Sequence, residues 1–260
     1  MDEYKQFTDN IKRKTGIDLS LYKEAQMKRR LTSLRDKRSF ASFHDYYQAL
    51  TTNQDLFEEF LDRMTINVSE FFRNPQRWTV LETQIMPALL KNKQGTLNVW
   101  SAACSTGEEP YSLAMLLQEQ AGNSRYEILA TDLDESILNR AKKGFYPERS
   151  VENVSSDKLR NYFQSDSVGY RVRDKVKNSV RFKKHNLLAD RFETGKDLIV
   201  CRNVMIYFTE EAKDDIYLRF SRALTIGGVL FVGSTEQIFN PQRYGLISEE
   251  TFFYRKIEHV

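Results

Sequence analysis

Apolar positions change their period near residue 66. Before it they recur at helical spacing only. Glu3–Thr15 predicts a first helix, ended by Gly16, and Leu21–Lys37 a second, capped by Ser20 with Met27, Leu31 and Leu34 as its buried stripe. A third follows over about Ser42–Leu50. In a fourth, Gln54–Met64, Phe57, Phe60, Leu61 and Met64 share one face. Beyond the connector Thr65–Arg73, Asn74 is expected to cap a helix opened by Pro75, with Trp78, Leu81 and Ile85 buried and Pro87 kinking or ending it. From there short apolar runs alternate with helical ones. Leu97–Ala103 reads as a buried strand, Tyr111–Gln120 as a helix opened by Pro110, and Tyr126–Thr131 as a second strand ending in Asp132. Glu135–Lys143 is a helix stopped by Gly144. Asp197–Cys201 is a strand, and Thr209 caps a helix over Glu210–Leu224. Gly227-Gly228 turns into the strand Val229–Gly233, and Leu246–Ile257 returns as a final strand, read as antiparallel. Strand–helix alternation predicts a doubly wound α/β sheet. Phe145–Lys184 is too long for a simple connection. Its helix (Ser155–Phe163) and two alternating stretches (Tyr170–Val176 and Ser179–Lys184, read as a hairpin) predict an inserted β-subdomain over about 145–185. The division is therefore an all-α part, 1–66, and an α/β part, 67–260.

Composition narrows the class. With 40% hydrophobic and 29% charged residues the chain reads as a soluble globular protein. It has no apolar run long enough for a bilayer and no signal-peptide core at MDEYKQFTDN, so a cytoplasmic location is expected. Cys104 and Cys201 stand far apart in apolar settings, which suggests reduced thiols, and no metal-ligand spacing exists. A net charge of +3 implies no nucleic-acid partner by itself; placement matters more. Lys28, Arg29, Arg30, Arg35, Lys37 and Arg38 crowd the second helix, which is either a solvated face or a docking surface for an acidic partner. Arg171, Arg173, Lys175, Lys177, Arg181, Lys183 and Lys184 make a second basic surface on the insertion.

The candidate chemistry gathers at strand ends. Cys104–Glu109 is a small-residue turn with one glycine, Gly107, so it is not the three-glycine dinucleotide fingerprint. Glu108 and Glu109 stand where a pyrophosphate would need backbone N–H groups without anions. A nucleoside without phosphates, or a cation, suits that turn better, and S-adenosylmethionine is both. Asp132, at the end of the second strand, is where such folds bind ribose hydroxyls. The turn, Asp132, Asn186–Leu187 and Asn203–Tyr207 all fall at carboxyl ends of strands, on one rim.

These residues together resemble the chemotaxis receptor methyltransferases, the CheR family. The resemblance runs nearly end to end. It is carried by N-x-S-x-F-F-R (Asn67–Arg73), W-S-A-A-C-S-T-G-E-E-P-Y-S (Trp100–Ser112), A-T-D-L-D (Ala130–Asp134), H-N-L-L (His185–Leu188) and C-R-N-V-M-I-Y-F (Cys201–Phe208). Ser69 and Cys104 stand where many members have Thr and Ala, so the Cys104 thiol is not expected to be catalytic. The resemblance implies a class I methyltransferase-like sheet and methyl transfer from S-adenosylmethionine to receptor glutamates, leaving S-adenosylhomocysteine. It implies cofactor contacts at Asn67, Ser69, Arg73, Glu109, Asp132, Asn186, Leu187, Asn203 and Val204. It turns the basic helix, through Lys28, Arg29, Arg30, Arg35 and Arg38, toward the methyl-accepting receptor. In some members the β-subdomain holds a receptor-tail peptide. An ionised glutamate needs no general base, so the expected catalytic residues are few: Arg73, to hold a carboxylate, and Tyr207, to face the sulfonium and orient the acceptor. Two rivals remain at this level. A nicotinamide-dependent oxidoreductase is opposed by the missing glycines. A nucleic-acid-binding module or RNA methyltransferase is opposed by a basic helix without interleaved aromatics.

Overall fold

The computed structural model describes residues 2–64 and 69–259. Four helices, α1 (Glu3–Thr15), α2 (Glu24–Lys37), α3 (Phe43–Thr52) and α4 (Gln54–Met64), enclose one apolar core. Phe7 lies at its centre, against the rings of Phe43, Tyr46 and Phe60. Gly16 closes α1 in the left-handed region at φ 74°, and Ser42 caps α3. Ser20 does not cap α2. Asp18 instead accepts from the Ser20 amide, a 3₁₀ turn covers Leu19–Leu21, and α2 begins only at Glu24. The cause is tertiary: Tyr22 is drawn into an antiparallel bridge with Phe208, flanked by Lys23 N–H to the Tyr207 carbonyl and Thr209 N–H to the Leu21 carbonyl, both 2.9 Å.

Asn74 sits at φ 62° before α5 (Pro75–Val80) without capping it; its side-chain oxygen accepts from Arg202 instead. Pro87 neither kinks nor ends this region. A π-turn over Leu81–Ile85 shifts the hydrogen-bond register ahead of the ring, and the helix continues as α6 (Met86–Asn92).

The main sheet contains β1 (Leu97–Ala102), β2 (Tyr126–Asp132), β6 (Val180–Lys184), β7 (Lys196–Cys201), β8 (Leu224–Val232), β9 (Leu246–Glu250) and β10 (Phe253–Lys256). Its order is β6-β2-β1-β7-β8-β10-β9, parallel from β6 to β8 and antiparallel at β10 and β9. The final stretch is thus two strands, not one. Alternation places Val99, Ile128, Leu198 and Phe231 on one buried face. There they meet α5, α6, α7 (Glu108–Gln120) and α8 (Glu135–Lys143). Trp100, Leu129, Ile199 and Leu230 fill the other face beneath α11 (Glu210–Ala223), which Thr209 caps. Both faces are covered, as a parallel sheet requires.

The insertion is smaller than expected. Its sheet has the order β3-β5-β4, from β3 (Phe145–Tyr146), β4 (Phe163–Asp166) and β5 (Gly169–Val172), with α9 (Ser156–Tyr162) before β4 and α10 (Asp174–Lys177) after β5. The hairpin is β4–β5. Val180–Lys184 leaves the insertion and pairs in parallel with β2, Ile128 opposite Val180. Its period-2 pattern is the same for either partner.

Candidate functional site

The chain runs from β1 to β2 on one side and reaches β7 on the other, so the crevice of this sheet opens at the carboxyl ends of β1 and β7. A cavity of about 300 Å³ lies there. Ala103–Ser105, Glu109, Asp132, Asn186, Leu187 and Asn203–Val204 form its floor and walls, Ser69, Glu70 and Arg73 of the connector its roof, and Tyr22, Met64 and Tyr207 its remaining side. The connector does fold back over the strand ends. Bonds that hold it include Phe71 N–H to the Ser150 carbonyl (3.0 Å), Phe72 N–H to Ser112 Oγ (3.1 Å), and the Arg73 carbonyl, which accepts from both Arg202 Nη2 (2.8 Å) and Trp78 Nε1 (3.0 Å). Phe71 and Phe72 are fully packed beneath it, so the side chain that faces the cavity is Arg73.

Every residue named from the sequence as a cofactor contact lines this cavity, save Asn67, which lies outside the described residues. Asp132 is 7% exposed. It accepts from Ser105 N–H at 2.8 Å and Asp134 N–H at 3.1 Å, while burial pushes its carboxyl up to about 6. Glu109 accepts from Ser101 Oγ at 2.8 Å and faces Arg202 at 3.6 Å; burial raises its carboxyl and Arg202 opposes that rise. Asn186 Oδ1 accepts from the Leu188 amide at 2.9 Å. His185 lies edge-on to Trp100, its pKa lowered by burial, and its Nε2 has no partner among the described residues. Tyr207 is half-buried; burial raises its phenol, and Arg30 and Arg73 act against the rise.

Backbone conformation is unusual around this cavity. Ala103 (φ 60°), Ser105 (φ 50°) and Asn203 (φ 62°) all occupy the left-handed region, and such residues persist only where their surroundings hold them. Glu236 holds Asn203. It is 4% exposed and accepts from Asn203 N–H (2.7 Å), Gly233 N–H (2.8 Å) and Met205 N–H (2.7 Å), with burial raising its carboxyl. A Cβ at Gly233 would stand 2.4 Å from Glu236 Oε2, so only glycine fits. On the other loop a Cβ at Gly107 would meet Ala141 Cβ at 2.9 Å, which lets α8 approach the turn.

Sequence reasoning missed Glu236, Tyr22, Met64 and the buried Arg202. Glu236 sits in an undistinguished polar loop, and Tyr22 and Met64 belong to the helical part; the only signal for Arg202 was its place beside Asn203. Arg202 is boxed by Phe231 (4.8 Å) and Trp78 (5.9 Å) and joins Glu109 to the connector.

The basic helix is less open than its sequence suggests. Lys28 faces Asp2 (3.7 Å), Arg35 faces Asp36 (2.7 Å) and Arg38, though exposed like Arg29 and Lys37, faces Glu59 (2.5 Å). A groove beside α2 is lined by Arg29, Arg30, Ser33, Lys37, Arg63 and Tyr207, so Tyr207 is a wall of both the groove and the cavity. Among the described residues no His, Cys, Asp and Glu group could hold a metal, and no helix is long and apolar enough to cross a membrane.

The donor set fits S-adenosylmethionine: a buried carboxylate at the β2 end for hydroxyls, and acidic and aromatic walls for a cation, with Glu109 where a phosphate would meet an anion. Comparison with known proteins agrees. The family model described as CheR methyltransferase, SAM binding domain, matches residues 67–253, and that described as CheR methyltransferase, all-alpha domain, matches residues 2–65. The chain is 48% identical to the chemotaxis protein methyltransferase of Listeria monocytogenes over 98% of this chain and 97% of that one. It is 34% identical to the chemotaxis protein methyltransferase of Borreliella burgdorferi, over 96% and 93% respectively. To chemotaxis protein methyltransferase 1 of Pseudomonas aeruginosa it is 35% identical, over 94% of each. This chain belongs to the CheR family of S-adenosylmethionine-dependent methyltransferases.

Proposed function

We propose that this enzyme transfers a methyl group to glutamate side chains in the cytoplasmic helical region of chemoreceptors, forming glutamyl methyl esters. The observation that carries the reading is the shared wall: Tyr207 divides the cofactor cavity from a groove whose charged side chains are arginines and a lysine. A carboxylate drawn along that groove arrives beside the cavity without a separate channel.

S-adenosylmethionine, when bound, supplies an electrophilic methyl on a positive sulfur. The chain's own residues then need only bind, align and exclude water. Asp132 would accept from ribose hydroxyls through an ionised carboxylate. Asn186, Leu187, Asn203 and Val204 would line the nucleoside, with Ser69, Glu109 and Asn67 completing the contacts. Arg73 would grip the cofactor's carboxylate with its planar fork, and Tyr207 would face the sulfonium and orient the incoming oxygen. Met64, Leu187, Val204, Ile206 and Phe208 supply an apolar part of the wall, which favours a step in which two opposite charges vanish.

Docking would fall to Arg29, Lys37 and Arg63, because Lys28, Arg35 and Arg38 already have acidic neighbours. A receptor-tail peptide would add to the free edge of β4. Nucleic acid fits less well, since α2 carries its basic residues without interleaved aromatics on which bases could stack. The test is transfer from methyl-labelled S-adenosylmethionine to receptor cytoplasmic fragments. Label released as methanol by alkali is expected; label that resists alkali, or appears in RNA, would contradict the reading.

A further inference from the structure

Arg30 behaves differently from its basic neighbours on α2. Lys28, Arg35 and Arg38 turn to carboxylates of the helical domain, and Arg29 turns outward. Arg30 is half-buried and points to the domain boundary. Its Nη1 donates to the Met64 carbonyl at 2.5 Å, and its guanidinium lies over the Tyr207 ring, 5.4 Å from the centroid. Met64 is the last residue of α4, and the connector that carries Ser69 and Arg73 begins beyond it. The Tyr207 carbonyl accepts from Lys23 N–H at the start of the same helix. The stretch 23–30 therefore holds Tyr207 twice, at its backbone and on its ring face, while touching the carbonyl from which the connector departs.

A docking arginine needs a guanidinium free to meet a partner's carboxylate. This one is committed on both sides, to a carbonyl and to a π-face: the carbonyl ends α4 within the helical domain, the ring belongs to the α/β domain, and both residues line the cavity. We propose that Arg30 is a positioning residue for Tyr207 and not a receptor-docking charge: it fixes the ring that separates groove from cavity and ties α2 to the reacting centre. The inference rests on the role given above to Tyr207.

The two roles separate in steady-state kinetics, using the full chain and receptor cytoplasmic fragments. A cation over an aromatic ring at a partly desolvated site contributes enough that kcat in Arg30→Ala should fall about three- to thirtyfold. The KM for receptor should stay within about twofold, because uniform binding is untouched. Affinity for S-adenosylhomocysteine and the melting temperature report on folding. Arg30→Gln, which keeps a donor for the Met64 carbonyl without the charge, should show the same kcat loss, and Arg30→Lys should recover most of it. Arg29→Glu should do the reverse, raising KM with kcat preserved. In a Tyr207→Ala background, Arg30→Ala should cost nothing further.

A raised receptor KM with unchanged kcat in Arg30→Gln would overturn the inference in favour of docking. Wild-type kcat in Arg30→Gln, with Tyr207→Ala crippled, would overturn it alone. Wild-type turnover in Tyr207→Ala would instead remove the role of Tyr207, and the inference with it.

Discussion

The loops after β1 and β7 face each other across the cavity, and each is shaped by a buried carboxylate that collects backbone N–H groups. They differ in what is left over. Asp132 spends one oxygen on Ser105 and the other on Asp134, yet it lines the cavity and keeps acceptor capacity toward it. Glu236 spends itself on Asn203, Gly233 and Met205, and stands behind the loop, outside the cavity lining. Burial raises both carboxyls. One costly buried acid thus faces the cavity and the other serves the architecture. The same chemistry at two strand ends does not imply the same role.

Glu236→Ala should break this comparison most severely. It strands the buried Gly233 and Met205 N–H groups and the part-buried Asn203 N–H, each worth about 1–3 kcal/mol when unsatisfied. Thermal denaturation should show a large loss of stability, and turnover should vanish with it as Asn203 leaves its left-handed conformation. A stable, active variant would mean that the loop holds itself.

Arg73→Ala should reduce turnover next most, by about a hundredfold, through loss of a two-bond charged grip. Stability should change little. If Arg73 holds the cofactor's carboxylate, calorimetric affinity for S-adenosylhomocysteine falls alongside; if it orients the acceptor, affinity survives. Arg73→Lys keeps charge without the fork and should remain substantially impaired.

A smaller effect concerns pH and sharpens the contrast. Asp132 holds its proton to about pH 6 when folded, above its ordinary value of 3.8. Between those values the folded state binds a proton that the unfolded state has lost, so stability falls as pH rises through the window and stays lower above it. Glu109 and Glu236, also raised, add in the same sense. Asp132→Asn should flatten part of the pH dependence of the melting temperature, on a lower baseline, because its amide nitrogen leaves either the Ser105 or the Asp134 N–H without an acceptor. An unaltered profile would place the titration on another group.

The smallest effect separates the basic side chains from one another. Reversing Arg29 and Lys37 to Glu should raise the receptor KM while leaving S-adenosylhomocysteine affinity intact. Reversing Arg35 and Arg38, each already paired, should act mainly on the helical domain's own stability, at the modest level of surface ion pairs. Equal KM effects from both pairs would return the whole helix face to docking.

Much of this was legible in the sequence for a physical reason: strand ends and turns leave local marks. Asp132 closes an apolar run, and Gly107 sits in a tight turn before a helix, so the β1–β2 rim could be read directly. Long-range partners leave none. Glu236 lies in a polar loop whose neighbours give no period, and only the fold brings it under Asn203. Ser20 reads as a helix cap until the bridge between Tyr22 and Phe208 pulls the chain out of helical conformation. Val180–Lys184 alternates identically whether it pairs within the insertion or with β2, and the pattern could not choose. Pro87 reads as a helix breaker because a π-turn has no sequence period of its own.

The central claim is that the carboxylate at the end of β2 anchors the nucleoside in a cavity closed by both domains. Calorimetry of S-adenosylhomocysteine binding to Asp132→Ala and to the wild type, between pH 5 and 8, tests it most directly. Two lost hydroxyl bonds to a charged acceptor, at about 1.5–3 kcal/mol each, should weaken binding by a hundredfold or more at pH 8. Wild-type affinity should itself fall as pH drops below about 6, where Asp132 takes up its proton, and the variant should lose that dependence. Equal affinities for the two proteins at pH 8 would contradict the account.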